Sequence, residues 1–253
     1  MIKLKSRDEI ERMRAASAVV AEVLATLRER VRPGVSTLEL DTLAEELTRR
    51  RGAIPAFKGY EVGGRVFPAS VCISINDEVV HGIPSEGRVL RDGDIVGLDF
   101  GVSLEGYYGD AAATVPVGVV TPAAERLMST TAAALQAGIE ACRPGAHVAD
   151  VSGAIQDVAE GAGYSLVREF VGHGIGRRLH EEPQVPNYRT GARGPKLKEG
   201  LVLAIEPMVN AGGAEVYLKD DGWTAATRDG SLSAHFEHSV AVTADGPYIL
   251  TLP

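Results

Sequence analysis

Four carboxylates sit where a carboxylate is costly. Asp99 lies in Val96-Gly97-Leu98-Asp99-Phe100, and Asp110 lies in Tyr107-Tyr108-Gly109-Asp110-Ala111-Ala112. Glu206 closes the apolar run in Ala204-Ile205-Glu206-Pro207-Met208, and Glu237 interrupts His235-Phe236-Glu237-His238-Ser239-Val240. A carboxylate in an apolar strand loses hydration unless it shares a proton, meets a base or binds a cation. One such residue could occupy an exposed turn, an edge strand or a pairing with an arginine; four are hard to explain that way. The segment from Gly172 to Pro183 adds His173 and His180, two of the six histidines, seven residues apart among glycines. A phosphate-cradling loop is a weak reading of those glycines, because Pro183 and Pro186 follow them instead of a helical pattern. Four carboxylates and an imidazole carry too much negative charge for one divalent ion, and two ions sharing bridging carboxylates resolve this. An oxygen-rich set favours Mn²⁺, Fe²⁺ or Co²⁺ over a thiolate-type zinc site.

The surrounding pattern says how these residues are carried. Asp99 and Asp110 straddle the turn Leu104-Glu105-Gly106, so strands at Ile95–Phe100 and Gly106–Val117 place them across a hairpin, within a residue or two of register. Two capping boxes, Ser6-x-x-Glu9 and Ser36-x-x-Glu39, open helices that end near Pro33-Gly34 and Gly52. Residues 53–70 read as loop, and Val71–Ile75 as a buried strand. Thr121-Pro122 opens a long helix that stops at Arg143-Pro144-Gly145, and another spans Ala149–Glu160. Strands are expected at Leu166–Val171, Leu201–Met208, Glu215–Leu218 and His235–Val242. Arg32-Pro33-Gly34 recurs 111 residues later as Arg143-Pro144-Gly145, with Glu46-Leu47 answered by Asp157-Val158 and Gly52 by Gly163. That repeat predicts two related halves, about 5–118 and 119–250, within one domain over 1–253, and a site at their seam.

Composition sets the outer limits. The chain has 253 residues, 45% hydrophobic and 24% charged, enough for a core without staples. A net charge of −8 argues against a nucleic-acid partner. Two cysteines rule out a disulfide scaffold. No signal peptide and no apolar span long enough for a membrane are visible, so a cytoplasmic protein with no membrane partner is expected.

Over about residues 5–250 the chain resembles the type I methionine aminopeptidases, metallopeptidases of the pita-bread fold. The matching motifs are Ser74-Ile75-Asn76-Asp77-Glu78-Val79-Val80-His81-Gly82-Ile83-Pro84, the Asp99/Asp110 pair, Gly172-His173-Gly174-Ile175-Gly176 with His180-Glu181-Glu182-Pro183, Ile205-Glu206-Pro207-Met208-Val209-Asn210, and Phe236-Glu237-His238. The resemblance implies an α+β fold of two pseudo-symmetric α/β halves, with an antiparallel sheet and a central dinuclear metal site. It implies five ligands, Asp99, Asp110, His173, Glu206 and Glu237, with Asp110 and Glu237 bridging two divalent ions (Co, Mn, Fe or similar). Glu206 would also shuttle a proton, His180 would contact the substrate carbonyl, and His81 would hydrogen-bond the scissile amide. Tyr60, Phe67, Cys72 and Trp223 would form the methionine pocket, whose aromatic edges suit a thioether. Glu78, Asn76 and Ser233 would hold a monovalent cation. The implied activity is removal of the initiator methionine from nascent polypeptides with a small second residue, by a monomer in transient ribosome contact. Leu179 stands where many relatives have phenylalanine, Ala204 replaces a common threonine, and residues 57–67 look lengthened. The rival readings are an X-Pro-cleaving enzyme of the same fold, which usually carries a separate N-terminal domain, and a non-catalytic binding protein, which would be expected to lose ligands.

Overall fold

The computed structural model describes residues 2–252. In chain order the elements are α1 (Arg7–Arg30), α2 (Thr37–Arg50), β1 (Ile54–Pro55), β2 (Glu61–Val62), β3 (Arg65–Val66), β4 (Cys72–Ile75), β5 (Glu78–Val80), β6 (Ile95–Leu104) and β7 (Tyr107–Pro116). There follow α3 (Pro122–Ala141), α4 (Val148–Gly161), β8 (Ser165–Leu166), β9 (Gly172–Gly174), β10 (Glu181–Val185), β11 (Val202–Ile205), β12 (Met208–Asn210), β13 (Val216–Leu218), β14 (Ala225–Thr227), β15 (Ser233–His235), β16 (Glu237–Thr243) and β17 (Gly246–Ile249). Both expected capping boxes form: the Ser6 and Ser36 hydroxyls accept from the Glu9 and Glu39 amides, and each glutamate accepts from its serine's amide. Each satisfies two otherwise orphaned donors and is worth about 1 kcal/mol. No helix among the described residues is long and apolar enough to cross a membrane.

The main sheet is antiparallel throughout, in the order β1-β6-β7-β16-β11-β9-β10, with β4 also on β6 and β17 on β16. Its register decides which side chains share a face. Cys72 pairs with Asp99, Asp99 with Ala112, and Ala112 with Glu237. Asp110 is two residues from Ala112 and therefore points the same way. Ala204 pairs with His173, and Glu206 is two residues from Ala204. The alternate residues Leu98, Phe100, Leu203, Ile205, Val240 and Val242 point the other way, into apolar clusters with the helices. One cluster joins α1 and α2 to β4, β6 and β7; the other joins α3 and α4 to β11 and β16. Helices thus cover one face, and the polar side chains are left on the other.

Four sequence expectations change. Residues 53–70 are not all loop: Ile54-Pro55 extends the sheet edge beside β6, and Glu61–Val66 forms a hairpin. Its turn, Gly63-Gly64, has positive φ at both residues (57° and 78°), which a Gly-Gly pair adopts readily. The strand expected over Leu166–Val171 is confined to Ser165–Leu166, and the chain beyond it runs towards the site. The strands expected at Leu201–Met208 and His235–Val242 both break, at Glu206-Pro207 and at Phe236. At the first break the chain passes from the main sheet (β11) to a smaller one, β15-β12-β8, and at the second it passes back from that sheet (β15) to the main one (β16). Pro207 lacks the N–H that a continuous strand needs. The repeated segments make equivalent contacts: Gly34 N donates to Leu90 O as Gly145 N does to Leu197 O, and Ser36 bridges Val89 as His147 bridges Lys196.

Candidate active site

Five adjacent strands of the main sheet deliver the five expected ligand residues: Asp99 from β6, Asp110 from β7, Glu237 from β16, Glu206 from the end of β11, and His173 from β9. Ligand atoms of Asp110, His173 and Glu237 lie within 4.8 Å of one another. Glu206 Oε1 is 3.4 Å from His173 Nε2. Glycines on β9 allow this approach. A Cβ at Gly174 would lie 2.3 Å from Glu182 O, and one at Gly172 would lie 2.4 Å from Ala204 O. These glycines serve close strand packing.

The electrostatics of the group are unfavourable as they stand. Asp99 Oδ1, Asp110 Oδ1 and Glu237 Oε1 are buried without a hydrogen-bond partner, and no arginine pairs with any of them. Burial pushes the Asp99 carboxyl up to about 7. Burial and the neighbouring carboxylates push Asp110, Glu206 and Glu237 well above the usual range. Burial lowers His173 to about 3. Its Nδ1 lies 2.9 Å from the Gly174 carbonyl, which only accepts, so Nδ1 carries the proton and Nε2 presents a lone pair. That lone pair faces a carboxylate oxygen. Orphaned carboxylate oxygens around an unprotonated imidazole nitrogen are a donor set that fits divalent cations.

Every residue expected to touch substrate lines the same cavity, of about 220 Å³: Tyr60, Phe67, Cys72, His81, His180 and Trp223. Phe67 and Trp223 meet edge to face at 5.3 Å. Tyr60 Oη is 2.6 Å from His180 Nδ1. Burial holds His81 down at about 4 and lowers His180. His180 is carried on a loop tied at its far side by Glu181, which pairs with Lys5 at 2.8 Å and accepts from the Arg177 and Arg178 amides. Leu179 packs against the cavity, and Ala204 sits beside His173 in the sheet.

Sequence reasoning missed some of the lining. Phe170 and Met208 face the cavity, and the His235 ring approaches Glu206 at 3.7 Å. His235 stood in the quoted motif two residues before Glu237, which is a usable signal; Phe170 lay in a segment read as strand. Two of the three side chains expected to hold a monovalent cation, Glu78 and Asn76, have protein partners in the structure. Glu78 pairs with Arg88, with Lys219 at 2.8 Å and with the Ile75 amide at 2.9 Å. Asn76 donates to Asp94 at 2.8 Å and accepts from Ile95 N at 3.0 Å.

Known proteins share both sequence and fold with this chain. The profile of metallopeptidase family M24 matches residues 11–244. A methionine aminopeptidase from Clostridium acetobutylicum is 50% identical over 252 residues, covering 100% of this chain and 99% of that protein. The crystal structure of methionine aminopeptidase from Thermotoga maritima superposes with a TM-score of 0.96 at 43% identity, covering 100% of both chains. Prolidase from Pyrococcus furiosus shares the fold, with a TM-score of 0.78 at 23% identity over 99% of this chain and 65% of that one.

Proposed function

The chain belongs to the methionine aminopeptidases of metallopeptidase family M24, with the pita-bread fold, and from this premise we propose how its cavity removes an N-terminal methionine. It is a metallo-exopeptidase and uses divalent metal. In our reading Asp99, Asp110, His173, Glu206 and Glu237 would hold two divalent ions, and their oxygen-rich donors suit Mn²⁺, Fe²⁺ or Co²⁺. The chemistry such ions supply is a lowered pKa for water and stabilisation of the charge that develops on the carbonyl oxygen.

The chain's own side chains do the rest. Cys72, Phe67, Trp223 and Tyr60 enclose the methionine side chain against aromatic edges. Tyr60 donates to His180 Nδ1, which leaves Nε2–H to donate to the scissile carbonyl. His81, held neutral by burial, hydrogen-bonds the scissile amide. Glu206, whose carboxyl burial raises, takes the proton from water and returns it to the leaving amine. We assign a preference for a small second residue and action on nascent chains, within one catalytic domain whose halves meet at the site.

The observation that carries this reading is the register that turns five potential ligand side chains, three of them with partnerless buried oxygens, from five adjacent strands onto one face. The test is hydrolysis by metal-stripped protein, with and without Mn²⁺, Co²⁺ or Fe²⁺, of Met-Ala-Ser, Met-Leu-Ser and Ala-Pro-Ser. Metal-dependent release of methionine from Met-Ala-Ser alone is expected. Cleavage of Ala-Pro-Ser would move the chain to the X-Pro branch, and inactivity with every metal would overturn the assignment.

A further inference from the structure

A peptide substrate is longer than the cavity that takes its first residue, so the remainder must leave across the protein surface. Two spaces adjoin the cavity. One joins it at His173 and His180 and runs past Arg178, Glu181, Glu182 and Gln184, a charged and polar surface. The other, about 380 Å³, joins it at Val62, His81, Phe170 and Trp223 and continues to Tyr217 and Leu218. His81 stands at that junction, edge-on to Phe170 at 5.3 Å and to Trp223 at 6.5 Å.

We propose that this second, apolar trough binds the substrate residues that follow the second one, and favours apolar side chains there. The inference rests on the proposed role of His81 at the scissile amide: the chain beyond that amide then departs on the trough side. Ten large apolar side chains are exposed among the described residues, and four of them, Val62, Val66, Tyr217 and Leu218, belong to the β2–β3 hairpin and to β13. Apolar groups gathered beside a catalytic cavity mark a binding surface more than scattered ones do. The walls are joined before substrate arrives, because Arg65 Nη1 donates to Gly222 O at 2.8 Å and ties the hairpin to the turn after β13. β13 pairs with β14 on one side only, so it is an edge strand. An extended peptide can use such an edge, with alternate side chains entering apolar pockets.

The test compares three peptides on the metal-loaded enzyme: Met-Ala followed by Leu-Val-Leu, by Gly-Gly-Gly or by Ser-Gln-Ser. The apolar peptide is expected to have a kcat/KM about tenfold above the other two. In Y217S/L218S, whose positions are exposed and line the trough but not the cavity that holds the carboxylates, that advantage over Met-Ala-Gly-Gly-Gly should fall below about twofold. Equal rates for the three peptides on the native enzyme would overturn the trough while leaving the proposed activity intact. So would an apolar advantage that survives in Y217S/L218S. A variant that loses self-association in sedimentation but keeps the peptide preference would assign the face to a second copy of this chain, and also overturn the trough. No methionine release from any of the three would overturn both readings.

Discussion

His180 and His173 sit with ring centroids 4.3 Å apart, yet their surroundings give them different work. His173 spends its proton on the Gly174 carbonyl and offers a lone pair towards the carboxylates. His180 Nδ1 lies 2.6 Å from the Tyr60 hydroxyl, and in the proposed reaction it accepts from that phenol and keeps Nε2–H for the substrate. Replacing the second should therefore spare metal binding. His180→Ala is expected to keep full metal occupancy by elemental analysis and lose roughly 10²–10⁴ in kcat. Unchanged turnover would remove His180 from the reaction. The carboxylates were legible as single residues because an acid in an apolar strand is anomalous within its own few neighbours. Phe170 and Met208 were not, since an apolar residue in an apolar run looks the same facing a cavity or a core.

The loop that carries His180 is held from outside the site by one buried pair, Lys5 with Glu181, whose side chains are 5% and 6% exposed. Burial pushes the Glu181 carboxyl up, but Lys5 and the Arg177 and Arg178 amides outweigh it and hold the group below its ordinary value. A carboxyl lowered in the fold stabilises above its unfolded pKa and stops doing so as pH falls through the folded one. Lys5→Met strands the carboxylate and should cost about 3 kcal/mol at pH 7 by denaturant melting. The Lys5→Met/Glu181→Met double variant should recover much of that loss, and the gap between native and Lys5→Met proteins should close below the ordinary carboxylate range. A gap independent of pH would show that Lys5 acts by packing alone. Helix ends were legible because caps and Pro-Gly stops are local chemistry. The breaks at Pro207 and Phe236 were not, because leaving one sheet for another depends on the partner strand.

Asp99 and Asp110 come from the N-terminal part of the chain and His173, Glu206 and Glu237 from the C-terminal part, so ions held between these residues would tie the two parts together. Ligand held only by the folded state stabilises it by about 2.7 kcal/mol at a hundredfold excess over Kd. For a chain of this length Mn²⁺ should then raise Tm by about 5–10 °C. Without metal, burial raises these carboxyls, Asp99 to about 7, so the fold holds protons that an ion must displace. Those protons favour the metal-free fold at low pH and are lost as pH rises, so the Mn²⁺ shift should grow between pH 6 and pH 8. Asp110→Asn should abolish most of it in differential scanning calorimetry. A full shift in that variant would remove Asp110 from the metal set.

The sequence by itself determined the chemistry: which acids are misplaced, which histidines accompany them, and where helices start and stop. Each of these is a matter of a residue and its near neighbours. Tertiary structure decided the convergence. Strand order and register lie between segments far apart in the chain, and a slip of one residue would turn Asp99 or Glu237 onto the helix-covered face. The same register brings Cys72 beside Asp99, and the packing of separate segments opens the apolar trough past His81.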